Sequence, residues 1–408
     1  MPYDLAAIRR SIPALSREVA GRPAIFADAP GGTQVCEAVI AAIGDYLRHS
    51  NANLGGAFAT SQETVALVAE ARRAVAAFCN APDPAGIVFG ANMTSLTFSF
   101  SRAVATTWSA GDEVVVTSLD HDANVAPWLR AAEDRGAVVK VCRWSRVDGT
   151  LTVDDLAPLL SPRTRLVAVT AASNATGGIT DLRPLVDAAH AVGALVYVDA
   201  VHLAPHRSLD LAGWGCDALA CSAYKFGGPH VGILAADVGL LDRLPAYKVR
   251  PSSPKPPGKW ETGTQNFAGL AGVIAALDHL GDLGGGGHDR EALVAGMAAI
   301  AAHEAGLSRR FLDGAARIRG LRVHGVTDPD EIDHRTPTFA LTSTRWKPQD
   351  AAEHLGAQGI FTWAGHFYAI GCIDQLGLTD QGGVLRIGFA HYHGPDEVDR
   401  VIEALAAL

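Results

Sequence analysis

Two apolar runs in the middle of the chain each end in residues that can do chemistry. Ala194 to Val198 is β-branched and apolar and ends in Asp199. Ala218 to Cys221 ends in Ser222-Ala-Tyr224-Lys225, followed by Phe-Gly-Gly-Pro-His-Val-Gly. In an open α/β sheet, polar groups at the carboxyl ends of buried strands line the ligand crevice. A lysine there can hold a carbonyl compound as an imine, and an acid can pair with a protonated ring nitrogen. The two residues suit a pyridoxal phosphate (PLP) site, with Lys225 in the Schiff base and Asp199 at the pyridinium.

Other strand ends offer groups that suit the rest of such a ligand. Ile87 to Gly90 reads as strand, and Ala-Asn92-Met93-Thr94-Ser95 as a turn into a helix. Thr94 or Ser95 can cap that helix, and free N–H groups at its start suit a phosphate. Asp112 to Thr117 is a buried strand followed by Asp-His121-Asp-Ala-Asn124. His121 is either a polar loop residue or an imidazole face stacked on a planar cofactor. Arg165 to Thr170 ends in Ser173-Asn174, whose amide can donate to a phenolate oxygen or hold the turn. The polar loop from Ser50 to Gly56, with Asn53, is either surface connection or a close backbone approach to a ligand. Arg386 lies on an alternating strand (Val384 to Phe389), at a surface edge or facing a cleft where it can clamp a carboxylate.

The elements that must position these residues alternate. Strand and helix patterns succeed one another from about residue 23, where Pro23 to Asp28 reads as a short strand, to residue 245. That implies βαβ units and a mainly parallel sheet. Residues 250–260 are proline-rich, as in a linker or semi-rigid loop. From about 290 the pattern is α+β, with a long helix, short strands and a terminal helix. Residues 361–376 carry a glycine turn and a helix.

Composition narrows the classes. The chain has 408 residues, 48% of them hydrophobic, and a net charge of −9 without long like-charge runs. Neither nucleic acid nor an anionic membrane is expected as a partner. The start, Met1-Pro-Tyr-Asp-Leu, has no basic segment leading into an apolar one, so no secretory leader is expected. No apolar run is long enough to span a bilayer. Six dispersed cysteines suggest reduced thiols and a cytoplasmic protein. No Cys/His set has zinc-ligand spacing, so no metal is expected.

Together the motifs resemble the class V aminotransferase family of PLP enzymes, particularly its cysteine-desulfurase-like branch. Ser222-Ala-Tyr224-Lys225 and the glycines after it are similar to that family's Ser-x-His-Lys-x-x-Gly-Pro-x-Gly. Val-Asp199-Ala-Val-His202 resembles Val-Asp-x-x-Gln, and Asp-His121-Asp-Ala-Asn124-Val-Ala-Pro-Trp128 resembles Glu-His-x-x-Asn-x-x-Pro-Trp. The resemblance implies PLP fold type I. It implies a mainly parallel seven-stranded sheet in a large domain (22–262) and a smaller α+β domain (1–21 with 263–408).

The resemblance also distributes roles. Lys225 is the cofactor lysine, and Asp199 pairs with the ring nitrogen. Ser222, Tyr224 and the turn Asn92-Met93-Thr94 take the phosphate. His121 stacks on the ring, Asn174 takes the Ser-Asn position, and His202 stands where Gln reaches the phenolic oxygen. Arg386 takes the substrate carboxylate, with Asn53 nearby. Thr264, in Glu-Thr-Gly-Thr, reaches the phosphate of a second subunit, which implies a homodimer. One departure is specific. The desulfurase branch carries Arg-x-Gly-His-His-Cys-Ala, whereas this chain has Trp363-Ala-Gly365-His366-Phe367-Tyr368-Ala369. Tyr368 stands where the sulfur-accepting thiol is expected, and Cys372 is four residues on. A PLP enzyme on an amino acid is therefore expected, cleaving C–S bonds by β-elimination with Tyr368 or His366 as proton donor. Transamination and epimerisation are the alternatives, and a non-catalytic scaffold is a third.

Overall fold

The computed structural model describes residues 3–145 and 149–408. Met1 and Pro2, where the expectation of no leader begins, lie outside the described residues. Seven strands form the main sheet: β1 (Ile87–Gly90), β2 (Glu113–Thr117), β3 (Val138–Cys142), β4 (Thr164–Thr170), β5 (Leu195–Asp199), β6 (Ala218–Ser222) and β7 (Gly232–Ala236). Their spatial order is β1-β7-β6-β5-β4-β2-β3. Strands β2 to β6 pair in parallel, while β7 runs antiparallel to both β6 and β1.

Burial explains the apolar runs. Val115, Val167, Val169, Val196 and Val198 belong to one core cluster, and Val114, Val116, Leu166, Ala168 and Tyr197 to another. Alternate residues of the same strands thus face opposite layers, so the middle of each central strand is apolar on both faces. Helices α1 (Glu37–His49), α2 (Ala59–Cys79) and α5 (Phe267–Asp282) pack together in one layer. Helix α3 (Met93–Ala105), with α4 (Ala126–Arg135), covers the other.

A second, antiparallel sheet holds β8 (Leu321–His324), β9 (Thr338–Ser343), β10 (Trp363–Gly365) and β11 (Val384–Gly388), in the order β8-β9-β11-β10. Helix α6 (Arg290–Ala315) packs Phe311 against Phe339 of this sheet, with ring centroids 4.2 Å apart. Of the strand expected over residues 23–28, Pro23 ends a two-residue antiparallel pair with Glu18, and the rest makes only isolated bridges, Ile25 with Ile360 and Asp28 with Gly388. Those bridges bring the segment before the first long helix onto the small sheet's edge. No helix among the described residues is long and apolar enough to cross a membrane.

One buried cation ties the two sheets together. Arg335 is 1% exposed and lies over the Phe339 ring at 4.2 Å. Its guanidinium donates to the carbonyl oxygens of Val326, Thr338, Thr336 (3.2 Å) and Thr176 (3.4 Å). Thr176 belongs to the turn after β4, the others to the approach to β9. Arg335→Met removes every one of these donors at once and is expected to cost about 3 kcal/mol, measured by denaturant unfolding. A loss below about 1 kcal/mol would show that water replaces the guanidinium.

Candidate active site

The last residues of β4, β5 and β6, Thr170, Asp199 and Ser222, open onto one cavity of about 310 Å³. Its other walls come from Pro30 and Gly31, the β1–α3 turn, His121, and the segment from Trp363 to Arg386. Lys225 follows β6 in a single helical turn (Ala223–Phe226), which swings its side chain back over the strand ends. Its Nζ donates to the Pro30 carbonyl. Burial and the nearby Arg386 cation lower the Lys225 pKa to about 7, against an opposing pull from Asp199. The amine is therefore half neutral near pH 7, where an ordinary lysine is almost wholly charged.

Asp199 is 4% exposed. Burial raises its pKa to about 6, opposed by the Val201 N–H that donates to Oδ1 at 2.9 Å and by Lys225. It remains an anion at neutral pH, in a place where an unpaired carboxylate is costly.

The end of the cavity with free backbone N–H groups lies at the start of α3. Asn92 caps the helix, its Oδ1 accepting from Ser95 N at 2.8 Å. Met93 N donates to Ser222 Oγ at 3.0 Å, which leaves the Ser222 hydroxyl hydrogen free to donate into the cavity. Gly232 on β7 explains why the turn can sit there. A Cβ at that position would lie 2.3 Å from the Asn92 carbonyl carbon. Tyr224 stacks on His230 at 5.0 Å on one flank.

His121 is fixed by its neighbours. Asp120 accepts from Thr117 Oγ1 and from Asn124 Nδ2 (2.7 Å), and Trp128 Nε1 donates to Asn124 Oδ1 at 3.1 Å. The His121 Nδ1 accepts from Ala123 N at 3.0 Å, so the proton of the neutral ring is on Nε2. Burial, then Lys225 and Arg386, lower its pKa to about 4. A neutral ring can stack on a cofactor without adding a charge.

His202 has Nε2 within 3.1 Å of Thr338 Oγ1 and 3.2 Å of Thr336 Oγ1. Arg386, paired with Trp363 across β11 and β10, donates to the Asn174 carbonyl at 2.9 Å and lies 4.1 Å from the Phe367 ring centroid. No carboxylate forms an ion pair with it among the described residues, and burial lowers its pKa to about 9. The nearby Asp28 carboxyl opposes that shift but is itself pushed up by burial and makes no ion pair with the guanidinium, which is left to receive an anion.

The segment carrying Tyr368 is held in an unusual shape. Phe367 and Tyr368 both adopt left-handed backbone, with φ of 51° and 58°. That costs roughly 1–2 kcal/mol per residue. Three hydrogen bonds oppose the cost: Asn174 Nδ2 to Phe367 O (3.0 Å), Asp122 N to Tyr368 O (2.8 Å) and Tyr368 N to His366 Nδ1 (3.1 Å). The result sets the Tyr368 ring 5.4 Å from that of His121 at the cavity wall.

Of the residues singled out in the sequence, Asn92, Met93, Thr94, His121, Asn174, Asp199, His202, Ser222, Tyr224, Lys225, Tyr368 and Arg386 line this one cavity. His366 does not; it is exposed and its Nδ1 holds the Tyr368 amide. Asn53 and Thr264 lie together in a separate surface cleft, beside Leu47 and Asn266. Cys372 is fully buried, its thiol pushed up to about 12, and no cysteine lines the cavity. Sequence reasoning missed Trp363, Phe367, Gly31 and Gly232. The only signal was the spacing of Trp363 before the loop and the glycine ending the Lys225 motif.

The donor set fits PLP. Three buried polar atoms on cavity residues have no protein partner: Asn174 Oδ1, His202 Nδ1 and Arg386 Nε. With the start of α3, the Ser222 hydroxyl, Asp199 and Lys225, the two nitrogens among these suit the acceptor oxygens of such a cofactor and of a carboxylate, while Asn174 Oδ1 can only accept. The rate at which the apo-protein captures PLP is expected to rise through pH 7 and level off above it, because only neutral Lys225 is a nucleophile. Stopped-flow absorbance reads this directly. A rate still climbing at pH 9 would mean that the lysine titrates like an exposed one.

A family model described as Aminotransferase class-V matches residues 25–401. An uncharacterised protein of Mycobacterium tuberculosis is 34% identical over 415 residues, covering 100% of both chains. The cysteine desulfurase of Dickeya dadantii is 31% identical over 99% of this chain and 96% of its own. Among solved structures, the cysteine desulfurase CsdA of Escherichia coli, in its S-sulfonic acid form, superposes with a TM-score of 0.84. It shares 27% identity and covers 99% of this chain and 98% of its own.

Proposed function

The chain belongs to the class-V aminotransferase family, whose PLP enzymes share the fold-type-I architecture, and on that premise we propose that it cleaves the C–S bond of cysteine or a cysteine derivative by β-elimination. The observation that carries this reading is a cavity that joins Lys225, Asp199 and Arg386 and has no cysteine among its lining residues. Passing sulfur to the enzyme needs a thiol in reach. Eliminating it needs only a base at Cα, an anchor for the carboxylate and a proton for the departing sulfur.

PLP, when bound, supplies an electron sink for the charge left at Cα. Asp199 holds the proton on the ring nitrogen that makes this possible. Arg386 binds the α-carboxylate and so fixes which bond at Cα stands to break. Lys225 Nζ, when free, would take the Cα proton. The Cβ–S bond then breaks with its electrons on sulfur, and the Tyr368 hydroxyl at the cavity wall protonates the thiolate. His366, turned to the Tyr368 amide, supports that residue's position. The remaining three-carbon fragment hydrolyses to pyruvate and ammonia.

Supplying the holoenzyme with cysteine and S-substituted cysteines tests the reading, with pyruvate, ammonia and free thiol or sulfide as the expected products. If amino acids alter the cofactor absorbance yet no pyruvate appears, elimination is wrong. Accumulated pyridoxamine phosphate would then indicate transamination, and solvent deuterium at an inverted Cα epimerisation.

We also propose a homodimer. Asn53 and Thr264 share a cleft apart from the Lys225 cavity, and Ile40, Leu47, Leu54 and Phe58 are large apolar side chains exposed on α1 and the loop that follows it. A second copy would cover them and bring Thr264 of one protomer towards the other's phosphate. Leu47→Glu buries a charge in that contact and is expected to weaken dimerisation by about 2 kcal/mol or more, roughly 30-fold in dissociation constant, by analytical ultracentrifugation. A monomeric parent protein would contradict the proposal.

A further inference from the structure

We propose that the site selects amino acids whose side chain is uncharged and carries a bulky apolar or aromatic group, and that Tyr368 is the residue that selects them. The inference rests on the reading above in one respect: that Arg386 anchors the substrate carboxylate and Lys225 the cofactor.

With those tasks assigned, the cavity has no charge left for a side chain. Asp199 serves the ring, and burial keeps the two imidazoles that line the wall neutral. His121 Nδ1 accepts from a backbone amide, and His202 Nε2 lies between two threonine hydroxyls. A second carboxylate or an ammonium would find no charged partner among the described lining residues, whereas an apolar group would cover ring surface.

The surface next to the carboxylate anchor is aromatic instead. Phe367 lies against the Arg386 guanidinium, and Trp363 is its strand neighbour. Trp363 and Tyr368 line the cavity while remaining 53% and 64% exposed. Large aromatic rings left that open in a cleft are contact surface for a bound group. The left-handed backbone at Phe367 and Tyr368, pinned by Asn174, Asp122 and His366, fixes where these rings stand. A side chain leaving Cα beside Arg386 therefore runs along Phe367 towards Tyr368.

The test titrates the holoenzyme with S-benzyl-, S-methyl-, S-carboxymethyl- and S-(2-aminoethyl)-cysteine, reading binding from the cofactor absorbance and turnover from pyruvate. S-benzylcysteine is expected to bind at least about 30-fold more tightly than either charged analogue. Tyr368→Ala is expected to reduce that preference by about tenfold, whereas Tyr368→Phe keeps it while slowing thiol release. Tyr368 is largely exposed, so neither variant endangers the fold. Charged analogues that bind as well as the benzyl one, no binding by any analogue, or a preference untouched in Tyr368→Ala would overturn the proposal. Tight binding of the benzyl analogue without pyruvate leaves the selectivity standing and removes the lyase reading instead.

Discussion

Lys225→Ala is expected to lower turnover by at least about 10⁴-fold, because it removes both the nucleophile that holds the cofactor and the base at Cα. The same change is expected to raise the stability of the apo-protein. Burial and Arg386 lower the Lys225 pKa from 10.5 to about 7. Between those values the folded state binds fewer protons than the unfolded one, so stability rises with pH across that window. Below pH 7 the full cost of keeping the amine buried is present, roughly 3–5 kcal/mol. Alanine removes that cost and loses one hydrogen bond, to the Pro30 carbonyl. A Tm a few degrees higher at pH 7, together with lost activity, is the expected pair of results in calorimetry and assay. A lower Tm would mean that Lys225 stabilises the fold, and that lost activity cannot be assigned to chemistry alone.

Asp199→Asn is expected to cost about 10²–10⁴-fold in kcat. The amide keeps the shape and the acceptor for Val201 N–H, but it cannot hold a proton on a ring nitrogen by charge. Breaking a buried charge pair costs about 3–5 kcal/mol, which sets that range. The wild-type acid limb gives an independent check. Burial raises Asp199 to about 6, so the anion is present above that pH and lost as pH falls through it. Affinity of the apo-protein for PLP should fall along the same limb, and the Asn variant should not show it. An unchanged kcat would remove Asp199 from the mechanism.

The parts of the site that were legible in the sequence share a physical cause. Strands β4, β5 and β6 are buried on both faces, so they appear as unbroken apolar runs whose first polar residues mark the carboxyl ends. That pattern places Asp199 at one strand end and Lys225 just past the next. The turns at Asn92 and His121 follow β1 and β2 in the same way. Other features depend on pairing between distant segments and left little local trace. Strand β7 reverses direction inside a sheet expected to be mainly parallel, and only its close packing on Asn92 explains Gly232. Strand β10 is three residues long and ends in glycine, too short for any alternation, yet it places Trp363 beside Arg386. Within residues 23–28, read as a strand, Ile25 and Asp28 make single bridges because their partners, Ile360 and Gly388, lie on two different segments. Asn53 and Thr264 come together with each other, away from Lys225, a placement set by the packing of α1 and α5 that no local motif encodes.

Lys225, alone among the lysines, is expected to carry the cofactor. Incubating the protein with PLP, reducing it with borohydride and mapping the labelled peptide by mass spectrometry tests this directly. A single stable adduct on Lys225 is expected, absent in Lys225→Ala and accompanied by loss of the visible absorbance band. An adduct on another lysine, or no adduct at all, would contradict it.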